Sequence, residues 1–376
     1  MYKVRTASIA EFKESRDIWN KLASAMPLPS IYCTWEWIYT WWEHFGDNYN
    51  LVILFVFKEA ELKGILPLAS RDVVLNRVWL TGRILTYCGS MEVAPDHLDI
   101  IASHEDAAPC LAAINNYLST EYKEWDVLHL SHVSEANNLI KWLDDADISF
   151  QTNIREVSVS PFITLTEGFE KYHKTFSSQK RNHFNRMEKK LNKQYGIKYF
   201  SCDPLKYQET LDTLFALHEQ RANRKKIEST FKKEPIMKFH HDLVRRMDAT
   251  DWVWLKALGN DEKVISVWYG FAFGKKVDYY QIGFDTQWEQ HGPGKVLMLN
   301  VIKEAFSKKY DEFDFLRGNE KFKSQWTENK RSLLTANIYN KTLRGMLSEK
   351  LYSAKATLKK MRKMMSIRKK NNASEK

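Results

Sequence analysis

The chain has 376 residues, about twice the usual length of a single domain, so we expect two domains. Hydrophobic residues make up 44% of the sequence and charged residues 28%, with only 14 glycines and 9 prolines, which excludes a low-complexity or disordered chain. The net charge is +10, and residues 341–376, with twelve Lys/Arg and two Glu, account for all of it. A basic tail on a neutral body lacks the broad basic face of a nucleic-acid-binding protein, so nucleic acid is not the expected partner.

The N-terminus and the cysteines predict the compartment. Residues 1–20 carry acidic side chains and no apolar signal-peptide core, and no apolar run approaches the roughly 20 residues of a membrane span. The cysteines are scattered without a Cys-x-x-Cys pair, which indicates reduced thiols: they are Cys33, Cys88, Cys110 and Cys202. The sequence therefore predicts a cytoplasmic protein.

Two histidine-containing segments have side chains of the kinds that bind metal ions. Asp96-His97-Leu98-Asp99 has ligand-type side chains, but no second ligand pair stands near it. His240 and His241 are adjacent, and adjacent side chains on a helix point in different directions. The sequence therefore predicts no metal ion.

Apolar periodicity predicts a helix and then strands in the first half of the chain. Residues 34–45, TWEWIYTWWEHF, place apolar side chains at helical spacing, and Gly46 stands where a helix would end. The segments that follow are predicted strands at 51–57 and 62–70, a helix at 107–118 and a strand at 125–130.

The second half repeats this order of elements. Its predicted elements are strands at 252–258, 264–273 and 277–284, a helix at 295–307 and a strand at 313–317. Glu124–Leu128 and Glu312–Leu316 are similar in sequence, so Asp126 and Asp314 occupy equivalent positions. We interpret the pattern as a structural duplication of the α/β class, in which each half has a central mixed sheet flanked by helices. The halves meet near the extended segment at 160–162.

A glycine-rich turn follows the strand at 277–284. Gly283-Phe284-Asp285 ends the strand, and His291-Gly292-Pro293-Gly294-Lys295 leads into the next helix. Such a turn exposes backbone N–H groups at the positive end of a helix, which suits a pyrophosphate. The alternative is an ordinary tight turn.

Charged side chains follow the strand predicted at 313–317. Glu320 and Lys323 should emerge at the carboxyl edge of the sheet, where a carboxylate can take a proton from an ammonium and a lysine can stabilise an oxyanion. Asp314 ranks below both because it has a twin in the first half. The alternative is a solvated loop.

A basic helix is predicted after Ser177. It could bind the phosphates of a cofactor or an acidic substrate, or reach RNA; a solvated helix face is the alternative. Its basic residues are Lys180, Arg181, Arg186, Lys189, Lys190 and Lys193.

The order and spacing of these three segments resemble the GNAT-superfamily acyltransferases of the CelD-like, cellulose-biosynthesis-associated group, which are relatives of the FemABX peptidyltransferases. The resemblance covers nearly the whole chain. It implies two tandem GNAT-like domains at 1–155 and 156–340, followed by the tail at 341–376. It further implies that only the second domain binds acyl-CoA, since the first has no glycine turn; the residues at the pyrophosphate would be Gly292, Gly294, Lys295 and Val296.

The resemblance implies an N-acyltransferase in which a primary amine attacks the thioester of acetyl-CoA or another acyl-CoA directly. The acceptor would be an amino sugar or a polysaccharide precursor. Relatives often have Tyr-Lys where this chain has Phe322-Lys323, so Tyr279, Tyr280 or solvent would protonate the leaving thiolate. The implied catalytic residues are Lys323, Glu320, Asp314 and Tyr280, and the implied acceptor-binding residues are Lys180, Arg181 and Asp285.

Two other functions stay open. The basic helix and the Phe-Lys pair, which FemABX proteins often share, favour a FemABX-like transferase with aminoacyl-tRNA as donor, although the chain lacks a long coiled-coil insertion. A non-catalytic binding module is the second alternative, and Phe322 favours it.

The tail has an apolar seam with spacings of 4, 3, 4, 3 and 4. We expect a helix that binds an anionic membrane, at the inner membrane surface, or pairs with a partner helix; packing on the second domain is the alternative. The seam consists of Leu347, Leu351, Ala354, Leu358, Met361 and Met365.

Overall fold

The computed structural model describes residues 1–74, 81–144 and 147–352. Four positions of the predicted tail seam, from Ala354 to Met365, lie outside the described residues. Residues 343–352, which precede them, are helical.

The first half contains the five helices and strands that the sequence predicted and, among its described residues, seven that it did not. The helix predicted at 34–45 is α3, which begins after Thr34, whose hydroxyl accepts from the N–H of Trp37, and ends before Gly46. The elements are β1 (Tyr2–Thr6), α1 (Ile9–Glu14), α2 (Arg16–Ser24), α3 (Trp35–Phe45), β2 (Asn50–Lys58), β3 (Glu61–Val74), β4 (Thr81–Tyr87), β5 (Ile101–Ala102), α4 (His104–Thr120), β6 (Val127–Ser134), α5 (Asn138–Leu143) and β7 (Gln151–Thr164).

The second half contains all of its predicted helices and strands, and five further elements among the described residues; its last predicted strand is shorter than predicted. That strand ends at Asp314 and not at Arg317, because Leu316 has a φ of 56° and turns the chain out of the extended conformation. The elements are α6 (Phe169–Lys174), α7 (Ser178–Tyr195), β8 (Lys198–Ser201), α8 (Tyr207–Lys225), α9 (Glu234–Arg246), β9 (Val253–Gly259), β10 (Val264–Phe273), β11 (Lys276–Phe284), α10 (Pro293–Ser307), β12 (Glu312–Asp314) and β13 (Lys330–Tyr339).

Strand pairing repeats between the halves. In the first, β2, β3 and β4 are antiparallel neighbours and β4 pairs in parallel with β6. In the second, β9, β10 and β11 are antiparallel neighbours and β11 pairs in parallel with β12. A helix connects the parallel strands each time, α4 in one half and α10 in the other. The protein is therefore an α/β protein with the predicted duplication of a mixed sheet flanked by helices.

The two sheets join because strands near their boundary are exchanged. β13 lies between β6 and β7, so a strand from the second half completes the sheet of the first. β7 pairs with β13 along most of its length and with β12 at its end. The predicted division at residues 155/156 falls within β7, and the domain boundaries stay a prediction.

Aromatic side chains fill the contact between the halves. Trp37 of α3 lies edge-on to Phe239 of α9 and to Phe271 of β10, with ring centroids 5.2 and 5.7 Å apart. All three side chains are fully buried, so one apolar core extends across the halves. Among the described residues, none of the helices has the length and apolar character required to cross a membrane.

Candidate active site

Strand β11 has an open edge over most of its length. It pairs with β10 throughout, but with β12 only over Lys276–Asp278. The N–H of Asp285 donates to β10 at Ile265 O, whereas that of Ile282 donates to the side chain of Gln281 at 3.0 Å. Because successive N–H groups of a strand alternate in direction, those of Ile282 and Phe284 point to the open edge. An extended ligand can add there as a strand would.

A β-bulge places Tyr280 beside this edge. Tyr279 and Gln281 pair with consecutive residues of β10, which leaves Tyr280 as the extra residue, and bulges commonly re-aim side chains near active sites. The hydroxyl of Tyr280 donates to the carbonyl of Val93 in the first half at 2.8 Å. Burial raises the pKa of Tyr280 above its usual value, so the phenol is protonated at neutral pH. Its role as the acid for a leaving thiolate stays a prediction.

The predicted glycine turn lies at the start of α10. Gly292 has a φ of 63°, and its carbonyl accepts from the N–H groups of Lys295 and Val296 at 3.0 and 3.1 Å. Pro293 has no N–H to donate. The N–H of Gly294 has no backbone acceptor among the described residues, so this N–H is the donor that the turn can offer to a ligand. The turn thus offers a phosphate one backbone donor, where the glycine pattern indicated several.

A cavity of about 340 Å³ lies beside this turn, between α10, α7 and the open edge of β11. Gly292, Gly294 and Lys295 line it, whereas Val296 is buried behind it. We name it the donor cavity, and its other lining residues include His183, Met187, Arg221, Ile282, Phe284, Phe322, Gln325 and Trp326.

A second cavity, of about 540 Å³, lies at the other end of the open edge, and we name it the acceptor cavity. It brings together three of the four predicted catalytic residues, Tyr280, Glu320 and Lys323. Arg221 and Phe322 line both cavities, so the two are neighbours, and we call them together the groove. The first half contributes Ala94 and Asp96 to its wall.

Lys323 is buried, and its ammonium is bound by the turn in which it lies. Its Nζ donates to the carbonyls of Leu316 at 3.2 Å and Arg317 at 2.5 Å, and lies 3.1 Å from a carboxylate oxygen of Glu320. Burial lowers its pKa, although Glu320 opposes this effect. The geometry favours a lysine that holds the turn at 316–323 in place.

Asp314 lies behind the cavities in a buried cluster. Its carboxylate accepts from the hydroxyl of Ser160 at 2.5 Å and the N–H of Leu316 at 2.7 Å, and lies 2.9 Å from Nε2 of His97. Burial raises its pKa, but the charges of His97 and Lys276 outweigh this and hold the pKa below its usual value. Asp314 therefore links the end of β12 to the first half.

The segment at 96–99 connects the first half to the groove. The fully buried carboxylate of Asp96 accepts from the backbone N–H and the Nε of Arg317, both at 2.6 Å. Asp99 accepts instead from the N–H of Leu139, in the first turn of α5, at 2.9 Å. No group of three or more His, Cys, Asp or Glu within residues 1–74, 81–144 and 147–352 is arranged to hold a metal ion.

His218 is a site residue that the sequence analysis missed. It lies on α8, lines the acceptor cavity, and its Nδ1 is 2.8 Å from the hydroxyl of Ser229. Burial, with a smaller contribution from Arg221, lowers the pKa of His218, so the imidazole is neutral at pH 7. The spacing of His218, Arg221 and Lys225 along a helix is the signal that identifies this face.

The three predicted acceptor-binding residues lie outside the groove. Lys180 lines a third cavity, of about 590 Å³, with its Nζ 3.4 Å from the centroid of Phe176, and burial lowers its pKa to about 8. Arg181 donates to the carbonyl of Phe176. Asp285 caps the short turn at 286–291, accepting from the N–H of Gln287 at 2.9 Å. Their predicted role in acceptor binding stays a prediction.

Residues 178–324 match the family model described as Acetyltransferase (GNAT) domain. A comparison with curated proteins finds no match. The family-model match extends from α7 to just past Lys323, and it contains the lining residues of both cavities except Ala94, Asp96, Gln325 and Trp326.

Solved structures show the same fold at low identity. FemX has a TM-score of 0.63 and 10% identity, over 92% of this chain and 100% of that chain. A conserved protein of unknown function from Bacteroides thetaiotaomicron has a TM-score of 0.57 and 11% identity, over 90% and 100%. The C-terminal domain (DUF2156) of a putative lysylphosphatidylglycerol synthetase from Agrobacterium fabrum has a TM-score of 0.54 and 9% identity, over 90% and 97%.

The fold and the domain match define the class of protein. Residues 178–324 match an acetyltransferase (GNAT) domain, and on this match the protein is an acyltransferase. The narrower resemblance to the CelD-like group stays a prediction.

Proposed function

We propose that the protein transfers an acyl group from acyl-CoA to a primary amine. The observation that carries this proposal is the pair of neighbouring cavities along the open edge of β11, with the glycine turn beside one and ionisable side chains in the other. An extended thioester arm fits such an edge, because the N–H of Phe284 can donate to it, and that of Ile282 can do so in place of its bond to the side chain of Gln281. The phosphates of CoA then lie at the start of α10, near Gly294 and Lys295.

In the proposed reaction, the amine enters from the acceptor cavity. Its nitrogen forms a bond to the acyl carbon, the carbon–sulfur bond breaks, and the CoA thiolate leaves. His218 is the proposed acceptor of the proton that the nitrogen loses, since its imidazole is neutral and its ring is oriented by Ser229. Glu320, which the sequence predicted as a proton acceptor, also lines this cavity; it is partly exposed and is paired with Lys323.

The proposal also names the acyl group and the class of acceptor. We propose acetyl transfer to an amino sugar or to a precursor of a polysaccharide. The acceptor cavity, at about 540 Å³, is the larger of the two cavities of the groove and has room for a sugar-sized amine.

Titration with CoA by calorimetry tests the donor, and one site per chain is expected. In the first half, Ser103 already caps α4 by accepting from the N–H of Asp106, and two acidic side chains in its first turn repel phosphate. In the second half, a Cβ at Gly294 would lie 3.2 Å from the ring of Phe284, which lines the donor cavity.

Gly294→Val should therefore weaken CoA binding by about 30- to 150-fold, or roughly 2–3 kcal/mol, with a smaller effect for Gly294→Ala. Unchanged affinity in Gly294→Val, or two sites in the wild-type chain, would contradict this placement of the donor.

The basic helix α7 favours a second candidate, transfer from aminoacyl-tRNA. Its charged side chains Lys189, Lys190 and Lys193 are exposed, and His183 and Met187 of the same helix line the donor cavity. Binding of charged tRNA in a gel-shift assay, by a protein that does not bind CoA, would favour this donor. CoA binding without transfer to any amine would favour the binding module instead.

We also propose that the tail contacts an anionic membrane surface. The helix at 343–352 exposes three apolar side chains on one face: Leu343, Met346 and Leu347 are 83%, 45% and 46% exposed. Residues 353–376, which follow it, carry nine Lys/Arg and one Glu. Apolar anchors combined with a basic segment suit a surface of anionic lipid.

Deletion of residues 353–376 should abolish co-sedimentation with phosphatidylglycerol vesicles and leave acyl transfer unchanged. Leu343→Ser combined with Leu347→Ser should weaken the binding of the full chain in the same assay. Equal sedimentation with neutral phosphatidylcholine vesicles, or none with either, would refute the contact.

A further inference from the structure

One face of α8 lines the acceptor cavity with basic side chains. His218, Arg221 and Lys225 follow one another at spacings of 3 and 4 residues, which places them on the same side of the helix. Lys321, on the turn at 316–323, lines the same cavity. Since His218 is neutral, the positive charge of this face belongs to Arg221, Lys225 and Lys321.

These three cations differ from the other basic residues of the cavity. Arg317 is bound by Asp96 and Lys323 by Glu320. The ion pairs found among the described residues include none to Arg221, Lys225 or Lys321. Three positive charges without carboxylate partners thus meet at one concave surface, where an anion would relieve their mutual repulsion.

Arg224, on the same helix, forms an ion pair with a carboxylate, whereas Arg221 at the cavity forms none with any described residue. Arg224 forms an ion pair with Glu289 at 2.7 Å. Arg221, one turn earlier, has its guanidinium 5.1 Å from the ring centroid of Phe284 and its donors available to the groove.

The position of the cations separates them from the donor's phosphates. The donor cavity has its own groups for binding phosphate, the backbone N–H of Gly294 and the ammonium of Lys295, at the start of α10. Lys225 and Lys321 line the acceptor cavity and not the donor cavity, and Arg221 lies at the junction of the two. The anion that these cations bind therefore belongs to the acceptor.

We infer that the acceptor is an amine that carries a phosphate group, held by Arg221, Lys225 and Lys321. Three cations match the charge of a phosphate monoester or a pyrophosphate better than that of a single carboxylate. The guanidinium supplies a planar pair of donors, and the lysines supply point charges, a combination suited to phosphate oxygens. This inference rests on the proposed function for the presence of an amine, but the phosphate site itself does not require the transfer reaction.

The phosphate site is tested without a donor, by calorimetric titration of inorganic pyrophosphate into the full chain at low salt. Combining Lys225→Glu with Lys321→Glu should raise the Kd at least 30-fold. The matched control combines Lys206→Glu, which makes the same change of charge 19 residues away at the start of α8, with Lys330→Glu at the exposed start of β13. The control should change the Kd less than 3-fold. Equal affinities in the variant and the control, or no binding by the wild type, would overturn the inference.

The amine is tested by transfer from acetyl-CoA to matched acceptors. Glucosamine 6-phosphate should exceed glucosamine, and phosphoethanolamine should exceed ethanolamine, by at least 100-fold in kcat/KM. The double lysine variant should lose this preference through KM. Equal values of kcat/KM for the acceptors with and without a phosphate would overturn the inference. Pyrophosphate binding that depends on the two lysines, in a protein that neither binds CoA nor transfers an acyl group, would instead refute the proposed function and leave the phosphate site standing.

Discussion

Replacing Asp314 with alanine should lower the free energy of unfolding by about 3–5 kcal/mol, because this buried carboxylate lies against several cations and donors. Its removal leaves the hydroxyl of Ser160 and the N–H of Leu316 without their acceptor, and it takes a negative charge away from the nearby Lys276 and Arg331. Unfolding in urea, followed by circular dichroism, measures the loss.

Asp126, the equivalent residue in the first half, is the matched control. It accepts from the N–H of Arg83 at 2.8 Å and the hydroxyl of Thr342 at 2.6 Å, and no ion pair of the described residues involves it. Asp126→Ala should therefore cost about 1–3 kcal/mol, the penalty of hydrogen bonds left without an acceptor. If Asp126→Ala lowered the free energy of unfolding as much as Asp314→Ala, the charges around Asp314 would not contribute to stability.

The effect of Asp314 should depend on pH in a definite direction. Because its pKa in the folded protein is below the ordinary value, its contribution to stability is complete above the unfolded pKa of about 3.9 and declines as the pH falls below it. The difference between the wild type and Asp314→Ala should shrink between about pH 4 and pH 2. A difference that widens in acid would contradict the ion-pair interpretation.

Lys323→Met should lower kcat by about 100-fold or more while CoA still binds. The ammonium of Lys323 holds the carbonyls of Leu316 and Arg317, and the same turn carries Glu320 into the acceptor cavity. Loss of the ammonium leaves two carbonyl oxygens without a donor and moves the wall of the cavity, a change of about 2.7 kcal/mol in the activation free energy. The donor cavity lies at the other end of the groove and should keep its affinity.

Steady-state kinetics and calorimetry on the same variant separate this effect from a general loss of structure. Lys330→Met, on the exposed start of β13, is the control and should behave as the wild type. A fall in CoA affinity parallel to the fall in kcat would indicate that the lysine supports the whole domain, and wild-type turnover would remove Lys323 from the proposed mechanism.

Local patterns predicted about half of the helices and strands of the described residues. The apolar spacing in α3 and the runs of apolar, β-branched and aromatic residues in β9, β10 and β11 are properties of neighbouring residues, which is why their bounds agree with the structure. Strand β4 was missed because its sequence, TGRILTY, combines glycine and arginine with few apolar residues. The position of β13 between β6 and β7 depends on pairing between residues far apart in the chain, and no local pattern indicates it.

The candidate site was predicted in part for the same reason. The glycine turn and the turn at 316–323 are continuous segments, and the structure brings both to one groove. The hydrogen bonds between Asp96 and Arg317 join residues 221 positions apart, so they could not be predicted from neighbouring residues. His218 was missed because a helix with alternating charged and apolar residues has the pattern of an ordinary surface helix.

The exchanged strand constrains how the chain reaches its native state. Synthesis delivers β6 and β7 long before β13, so the first sheet has a gap between these two strands until residues 330–339 arrive. Two strand edges are exposed in the meantime, and such edges favour pairing with other chains. Folding of the first half is therefore coupled to the last strand of the second, and cooperative unfolding of both halves in a single transition is the natural consequence.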